Sequence, residues 1–419
     1  MTAQQFLHKY GQAADNVDIK SSIQTFWERM RQGLTGKCQA MPMIPTYLTD
    51  VNRTLIKPDV KRILIDAGGT NFRTATGYFD GQGRPHIENI LKSKMPASDG
   101  TYYSKERFYS AMADNVSALL DKADDIGFCF SYQVNMGKDV DGEVVMFSKE
   151  INAPEVIGTR VGYETLLACQ KYSGKKRNIV ILNDTVATLL GGMATSNKKY
   201  SAYIGYIYGT GTNACYVEDT ANITKVDDLP AGKMLVNTEC GNFDGFTTGY
   251  FDKTCIAKTA VPNRQLFEKM TSGKYLADII AEALSAAKRD GIFKGDVELN
   301  PFELKDVSSL LNDGEFPCKF DNGADMAFAK DVAVELIERA AKMGAVVVSS
   351  IAIKACQNSD KSLPVAVVAE GTTFNKLTGY RTAFEKYLTD ILGGYGLTYE
   401  IVQGDELNLV GTLMATMIF

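Results

Sequence analysis

The chain has 419 residues, of which 45% are hydrophobic and 23% are charged. This length predicts two to three domains, and the composition is that of an ordinary globular protein and excludes a disordered or fibrous one. The formal net charge is -5, and Lys and Arg form no long block, which argues against a nucleic-acid or acidic-membrane partner. No apolar run has the length of a signal peptide or a membrane span, so we expect a cytoplasmic protein.

Cysteine and histidine are used sparingly. None of the eight cysteines lies in a C-x-x-C pair or beside a histidine at metal-ligand spacing, so reduced thiols that pack as small apolar groups are expected. The two histidines, His8 and His86, have no catalytic setting in the sequence. Acid–base chemistry would therefore depend on carboxylates, Lys, Tyr or Cys.

The predicted elements alternate between strands and helices along the chain. An amphipathic helix is predicted within residues 16–36 and is followed by the first strand, Arg62–Ile65. Further strands are predicted at Thr74–Phe79, Ile126–Ser131, Asn178–Leu182, Ala202–Tyr208, Ala214–Glu218, Met234–Asn237, Val365–Ala369 and Thr398–Val402. Helical periodicity occurs at Glu106–Asp121, Val156–Lys171, Leu276–Arg289 and Val332–Cys356. The alternation indicates an α/β fold with covered sheets.

Two strand–turn–strand segments are alike. Ile63–Asn71 and Ile204–Asn213 each lead from an apolar strand into a turn rich in Gly or Thr that ends in Asn, and another strand follows. This similarity suggests a duplicated domain that faces itself across a cleft.

The first turn has the residues of a phosphate site. Its candidate ligands of the nucleotide are Asp66, Gly68, Gly69, Thr70, Asn71 and Arg73. Paired glycines allow consecutive backbone N–H groups to approach an anion, and an arginine adds a charge-assisted donor. Asp66, at the end of a buried strand, is placed to hold Mg²⁺ through water, so no direct protein ligand of a metal is predicted. The alternative is a hairpin turn capped by Asn.

The second turn, Gly209-Thr210-Gly211-Thr212-Asn213, fits another phosphate cradle or, equally, an ordinary hairpin. Neither turn is a Walker A motif, since no G-K-[ST] follows, and neither is a dinucleotide-binding turn, since a strand follows both.

A carboxylate follows the apolar strand 178–182. Asp184 could accept the proton of a sugar hydroxyl as that oxygen attacks phosphorus, while Asn183 binds a neighbouring hydroxyl. Asp184 or Thr185 could also simply cap the following helix, and the two roles are compatible.

Taken together, these motifs resemble the hexokinase family of eukaryotic type, within the actin-like sugar-kinase superfamily. Eight segments are similar to family motifs and occur in the family's order. They are the opening helix with MIPTY (43–47), LIDAGGTNFR (64–73), GFCFSYQ (127–133), FSKEIN (147–152), NDTVATLL (183–190), GTGTNACYVE (209–218), NTECGNF (237–243) and FEKMTSGKYL (267–276).

The resemblance implies an ATP-dependent hexokinase or glucokinase that uses Mg²⁺ and phosphorylates glucose or a related hexose at its 6-hydroxyl, the first step of glycolysis. Asp184 would be the general base. The sugar hydroxyls would be bound by Ser131, Ser148, Lys149, Asn183, Asn213, Glu239 and Glu268. The nucleotide would be bound by the first turn together with Thr210, Gly211, Thr212, Gly371 and Thr372.

The implied fold is two-lobed and actin-like (ribonuclease H-like), with mixed sheets, flanking helices and a central cleft. Residues 60–183 and 408–419 would form the small lobe, and residues 1–59 and 184–407 the large lobe. A homodimer is compatible with the sequence, which leaves the oligomeric state and the preferred hexose open.

This chain departs from the family pattern around the sugar and at the C-terminus. Tyr132 and Gln133 replace Phe-Pro, and Cys240 replaces Trp, which leaves the hexose preference open. Near the C-terminus, residues 405–411 lie where the family has an acidic pair followed by G-S-G-x-G, so the nucleotide preference is also open.

Three alternatives remain from the sequence. A bacterial glucokinase with a zinc site is disfavoured by the missing Cys/His cluster. A catalytically weak sugar sensor of the same fold is disfavoured by Asp184, Lys149 and the two glutamates. An actin- or chaperone-like ATPase would lack the sugar pocket.

Overall fold

The computed structural model describes residues 1–38, 40–49, 55–69, 71–147 and 151–418. The α-helices are α1 (Ala3–Lys9), α2 (Ile19–Leu34), α3 (Lys105–Val116), α4 (Val161–Cys169), α5 (Asp184–Thr195), α6 (Tyr250–Ala257), α7 (Leu266–Thr271), α8 (Leu276–Arg289), α9 (Leu304–Leu311), α10 (Gly323–Ala355), α11 (Thr372–Lys376), α12 (Tyr380–Gly393) and α13 (Leu407–Ala415). The strands are β1 (Ile44–Thr49), β2 (Arg62–Gly68), β3 (Asn71–Phe79), β4 (Pro85–Lys94), β5 (Ile126–Phe130), β6 (Gln133–Met136), β7 (Gly142–Met146), β8 (Ile179–Leu182), β9 (Ala202–Tyr208), β10 (Thr212–Asp219), β11 (Lys233–Asn237), β12 (Val297–Glu298), β13 (Lys319–Phe320), β14 (Val365–Glu370) and β15 (Tyr399–Val402).

The chain divides into two compact units, each assembled from separate segments. Unit 1 comprises Met1–Pro42, Tyr200–Ala214 and Thr238–Ile401. Unit 2 comprises Met43–Lys199, Cys215–Asn237 and Val402–Phe419.

Unit 2 contains a mixed five-stranded sheet in the order β4-β3-β2-β5-β8. β3 pairs antiparallel with β2 and β4, whereas β2, β5 and β8 run parallel. Every residue of β5 and β8 is buried, and both read as continuous apolar runs, as expected of parallel strands covered on both faces. In the same unit β11 pairs antiparallel with β1 and β10.

The C-terminal helix α13 lies very close to α5 within unit 2. A Cβ added at Gly411 would overlap the carbonyl oxygen of Ala187, and one added at Gly191 would overlap that of Leu407. Only glycine at these two positions allows the helix backbones to approach so closely. The Thr188 hydroxyl also donates to Asn408 Oδ1 at 2.7 Å, so the start of α13 is held against α5.

Unit 1 is more helical. β9 and β14 pair in parallel, and the 33-residue helix α10 is largely buried. Arg339 on α10 forms a buried ion pair with Asp252, which also accepts a hydrogen bond from Gln12. A charge buried this deeply requires such a partner, so the pair holds α6 and the N-terminal segment on α10.

The strongest sequence patterns agree with the observed elements. β9 and α8 have the predicted bounds. The amphipathic helix predicted within residues 16–36 is α2, which ends at Leu34, just before Gly36 with its φ of +74°. Helix α10 begins at Gly323, well before the predicted Val332, because the Asn322 side chain accepts from the backbone N–H of Asp325 and caps the helix there. In the described ranges, no helix is both long and apolar enough to cross a bilayer.

Candidate active site

Three parallel strands of unit 2 end at the same edge of their sheet. Ala67 of β2 pairs with Phe130 of β5, and Cys129 of β5 pairs with Leu182 of β8. The residues that follow these strand ends therefore lie side by side along this edge, in the strand order β2, β5, β8. They are the first glycine turn, Ser131 and the Asn183–Asp184 pair, as is typical of ligand sites at the carboxyl ends of parallel strands.

The first turn is bordered by a charged pair on adjacent strands. The antiparallel register places Asp66 of β2 opposite Arg73 of β3. Arg73 donates from Nε to Asp66 Oδ2 at 3.0 Å and also from Nη2 to the same oxygen. A third donation, from Nη1, goes to Glu406. Burial alone would lower the pKa of Arg73, but the two carboxylates outweigh it and raise that pKa above its ordinary value.

The glycines of the first turn are closely packed. A Cβ at Gly68 would lie 2.8 Å from the Ser131 hydroxyl oxygen. Gly69 has a φ of +61°, and its carbonyl accepts a hydrogen bond of 2.7 Å from the buried Tyr132 hydroxyl. The turn therefore contacts the short segment after β5 that carries the predicted sugar ligand Ser131. Asn71 begins β3 and is exposed, and Thr70 lies outside the described residues.

Asn183 and Asp184 lie at the N-terminus of α5. The Asn183 side chain caps the helix, and the backbone N–H of Thr185 is shared between Asn183 Oδ1 at 2.9 Å and Asp184 Oδ1 at 2.8 Å. Both side chains are half-buried. The predicted cap at Asp184 or Thr185 is therefore wrong by one or two residues, because Asn183 is the N-cap and Asp184 is the first residue of the helix. The helix terminus favours a negative charge at Asp184.

Two further sugar-binding residues are predicted within residues 147–152. Ser148 and Lys149 lie outside the described residues.

In unit 1 the second turn is tied to the helix α7. Glu268 Oε2 accepts from the backbone N–H of Thr212 at 3.1 Å, and a Cβ at Gly211 would lie 2.5 Å from the same oxygen. The residues after α7 complete the contact, because Ser272 donates to the Thr210 carbonyl at 2.8 Å and Gly273 N–H to the Gly209 carbonyl at 2.9 Å. A predicted sugar ligand and the predicted phosphate turn therefore form one hydrogen-bonded cluster.

The side chain of Thr212 is buried, whereas Thr210 is exposed at the tip of the turn.

Asn213 and Glu239 also lie together in unit 1. Asn213 Nδ2 donates to Glu239 Oε1 at 3.4 Å. Glu239 has a φ of +54°, a left-handed conformation that is unfavourable for glutamate and is more common at functional sites than elsewhere. The next residue, Cys240, is buried, and burial raises the pKa of its thiol to about 12, so it remains a neutral packing group.

Gly371 and Thr372 follow β14 directly. The register of β14 on β9 aligns Glu370 with Ile207, so Gly371 lies beside the start of the second turn. Its φ is +125°, and a Cβ there would overlap the Tyr208 carbonyl oxygen, so glycine is required. Thr372 is exposed as the first residue of α11.

The structure therefore brings the predicted residues together in two groups. In unit 2 these are Asp66, Gly68, Gly69, Asn71, Arg73, Ser131, Asn183 and Asp184. In unit 1 these are Thr210, Gly211, Thr212, Asn213, Glu239, Glu268, Gly371 and Thr372. Among the described residues, no group of three His, Cys, Asp or Glu side chains is arranged to hold a metal ion.

Two contributions were missed by sequence reasoning. Glu406 bonds to Arg73, and the hydroxyl of Tyr132 bonds to the first turn. The acidic pair before α13 and the replacement of Phe by Tyr132 were visible signals, but neither indicates its contact partner.

This fold and these groups of residues are those of a sugar kinase of the actin-like superfamily, and the comparisons support that class. A family profile described as "Hexokinase" matches residues 203–418, and a second one with the same description matches residues 4–194. Hexokinase-1 of Saccharomyces cerevisiae is 26% identical over 91% of this chain and 84% of its own length. The hexokinase of Schistosoma mansoni is 30% identical over 70% of this chain and 67% of its own.

A solved structure of hexokinase from Schistosoma mansoni, complexed with glucose, superposes with a TM-score of 0.81 over 100% of both chains at 20% identity. This confirms the predicted actin-like α/β fold class. The chain belongs to the hexokinase family and is a sugar kinase, a phosphotransferase with an alcohol group as acceptor.

Proposed function

We propose that this enzyme transfers the γ-phosphate of ATP to the 6-hydroxyl of a hexose, glucose or a close relative, as the cytoplasmic first step of glycolysis. The observation that carries this proposal is the shared edge of β2, β5 and β8. There a charged turn suited to phosphate, a serine suited to sugar and a carboxylate suited to proton transfer follow neighbouring strands.

Asp184 acts as the general base. Its half-buried carboxylate lies at a helix N-terminus, and a hydrogen bond from the backbone N–H of Thr185 orients it. As the sugar oxygen attacks the γ-phosphorus and its bond to the bridging oxygen breaks, Asp184 takes the proton of the 6-hydroxyl.

The sugar is held by carboxylates and amides because each hydroxyl both donates and accepts a hydrogen bond. We assign this role to Glu239, Glu268, Asn213, Ser131 and Asn183. We assign the same role to Ser148 and Lys149 on the sequence alone.

Phosphate binding uses both glycine turns. Backbone N–H groups of the first turn with Arg73, and of the second turn with Thr210, stabilise charge as it develops on the transferred group. Gly371 and Thr372 contact the nucleotide.

Magnesium fits this arrangement through water rather than through a protein cage. Both donations from Arg73 to Asp66 go to Oδ2, so this ion pair does not use Oδ1. Asp66 would hold the hydrated ion, which would supply charge neutralisation to the phosphates.

We also propose that residues 60–183 with 408–419, and residues 1–59 with 184–407, act as two lobes that close around the sugar. Closure would exclude water and limit ATP hydrolysis. Closure is tested by amide hydrogen exchange measured with and without the sugar. Slower exchange confined to the turns and strand ends supports closure, and unchanged exchange contradicts closure.

The first experiment measures ADP release from Mg-ATP with a panel of hexoses and a blank without sugar. Release that depends on one or a few hexoses supports the proposal and identifies the substrate. Hexose binding by calorimetry without ADP release would instead favour the sugar-sensor alternative.

The role of Asp184 is tested by Asp184→Ala. We expect kcat to fall by at least about a hundredfold while sugar binding stays measurable, because general-base catalysis contributes about 10²–10⁴-fold. Asp121→Ala is the matched control, since it removes an exposed carboxylate of the same unit. Near-normal turnover of Asp184→Ala would contradict the assignment.

A further inference from the structure

Arg73, the only charged donor of the first turn, already binds two carboxylates. Its Nε and Nη2 donate to Asp66, and its Nη1 donates to Glu406. Three of the five N–H bonds that a guanidinium carries therefore point toward carboxylates, although arginine in this position is suited to phosphate.

The charges of this cluster sum to a negative value. Asp66 and Glu406 contribute two negative charges and Arg73 one positive charge. The Arg73 and Glu406 side chains are 24% and 30% exposed, so an incoming polyphosphate can reach both. It would meet a net negative cluster unless Glu406 moves away from the guanidinium.

The backbone of Glu406 cannot move away easily. Glu406 directly precedes α13 with a φ of +52°, and α13 is held on α5 by the close glycine contacts and by the Thr188–Asn408 hydrogen bond. A phosphate oxygen could therefore replace the Glu406 carboxylate only by rotation of that side chain.

We propose that Glu406 is an intramolecular competitor of the nucleotide phosphate for Arg73, and that it sets the affinity of the enzyme for polyphosphate donors. Glu406 holds Arg73 in place when no nucleotide is bound and lowers the affinity for ATP, and to a smaller degree for ADP. This inference rests on the proposed role of Arg73 in phosphate binding.

The test compares Glu406→Gln with the natural enzyme. Glutamine keeps the length of the side chain and removes the charge. Its amide oxygen can still accept from Arg73, but it is a weaker acceptor than a carboxylate, so phosphate displaces it more easily. We expect the Kd for Mg-ATP, measured by calorimetry, to fall about tenfold, which corresponds to about 1.4 kcal/mol, because the charged competitor of the phosphate is replaced by a weaker neutral one. The inhibition constant of adenosine, which has no phosphate, should be unchanged.

Asp405→Asn is the matched control. It removes the same charge from the adjacent exposed residue, for which the structure shows no contact with Arg73 among the described residues. We expect it to change the Kd for Mg-ATP less than twofold, by screened long-range attraction alone.

Several results would overturn the inference. An unchanged or weaker affinity of Glu406→Gln for Mg-ATP would do so. An equal gain in affinity in Asp405→Asn, or a parallel change in adenosine binding, would also do so, because either result would indicate a general change in the loop. If the natural enzyme phosphorylates a hexose and Glu406→Gln shows no gain, only this inference fails. If neither protein binds Mg-ATP, the proposed function fails with it.

Discussion

The two glycine turns are similar in sequence but are held in place in different ways. In unit 2, side-chain charges hold the first turn, since Arg73 joins its two flanking strands and the segment before α13. In unit 1, hydrogen bonds to its own backbone hold the second turn, since the Gly209 and Thr210 carbonyls accept from residues 273 and 272 and the Thr212 N–H donates to Glu268. Close packing adds to this, because Gly371 lies against Tyr208.

This difference implies different sensitivities. A turn held by ion pairs should respond to changes of charge and keep its conformation, since its glycines are not its sole support. A turn held by close backbone packing should respond to added volume, because one extra carbon displaces a functional group.

The largest effect is expected from Gly211→Ala in the second turn. The new Cβ would lie 2.5 Å from Glu268 Oε2 and push that carboxylate away from Thr212. Because hydrogen bonds to charged groups contribute about 1.5–3 kcal/mol each, we expect hexose affinity to fall by about a hundredfold in calorimetry. The fold should survive, since the displaced atom is the end of a flexible side chain.

Gly393→Ala controls for the added methyl group, because a Cβ there meets no atom within 4 Å in the same unit. It should bind the hexose normally. Equal affinity of Gly211→Ala and the natural enzyme would show that the second turn tolerates volume.

An intermediate effect is expected from Arg73→Lys, which preserves charge in the first turn. Lysine cannot bridge Asp66 and Glu406 in the fork geometry of a guanidinium, so we expect KM for ATP to rise about tenfold with little change in hexose affinity. Steady-state kinetics with each substrate varied checks this expectation.

Arg62→Lys is the control for the charge-conserving change. Arg62 begins the same strand β2, at the end opposite to the glycines of the turn, and pairs with Asp125 at 3.5 Å. A rise in KM for ATP of the same size in both variants would mean that the first turn depends on the sheet in general rather than on its ion pairs.

The smallest effect is expected from Tyr132→Phe, which removes the hydrogen bond to Gly69. A single neutral hydrogen bond contributes about 1 kcal/mol, so we expect KM for ATP to rise about threefold to fivefold. Tyr109→Phe loses a comparable bond to Thr159 Oγ1 elsewhere in unit 2 and should leave KM unchanged. A tenfold or larger change in Tyr132→Phe would show that the first turn, too, depends mainly on backbone support.

Local patterns predicted much of the fold. The apolar run of β9 and the amphipathic helix α8 were predicted with their observed bounds. Burial in a sheet or on one helical face leaves a local pattern of apolar residues, which can be seen in the sequence of each element alone. Short or exposed elements such as β4 were missed, because β4 is an edge strand with many exposed residues and lacks an alternating pattern.

Sequence reasoning reached the candidate site most directly where its residues are contiguous in the chain. The first turn, the Asn183–Asp184 pair and the second turn each occur within a few residues, and their chemistry follows from residue type and from the strand before them. Resemblance to the hexokinase family then supplied the residues that lie alone in the sequence, such as Glu239.

The sequence by itself determined the family and the α/β class and indicated the turns and the carboxylate that we propose for catalysis, because these are properties of short segments. Only the tertiary structure decided which neighbours those segments have. The pairing of β2, β5 and β8 aligned three strand ends, and the docking of α13 on α5 brought Glu406 to Arg73 across more than three hundred residues of chain. Such contacts depend on packing between elements distant in sequence, which no local pattern encodes.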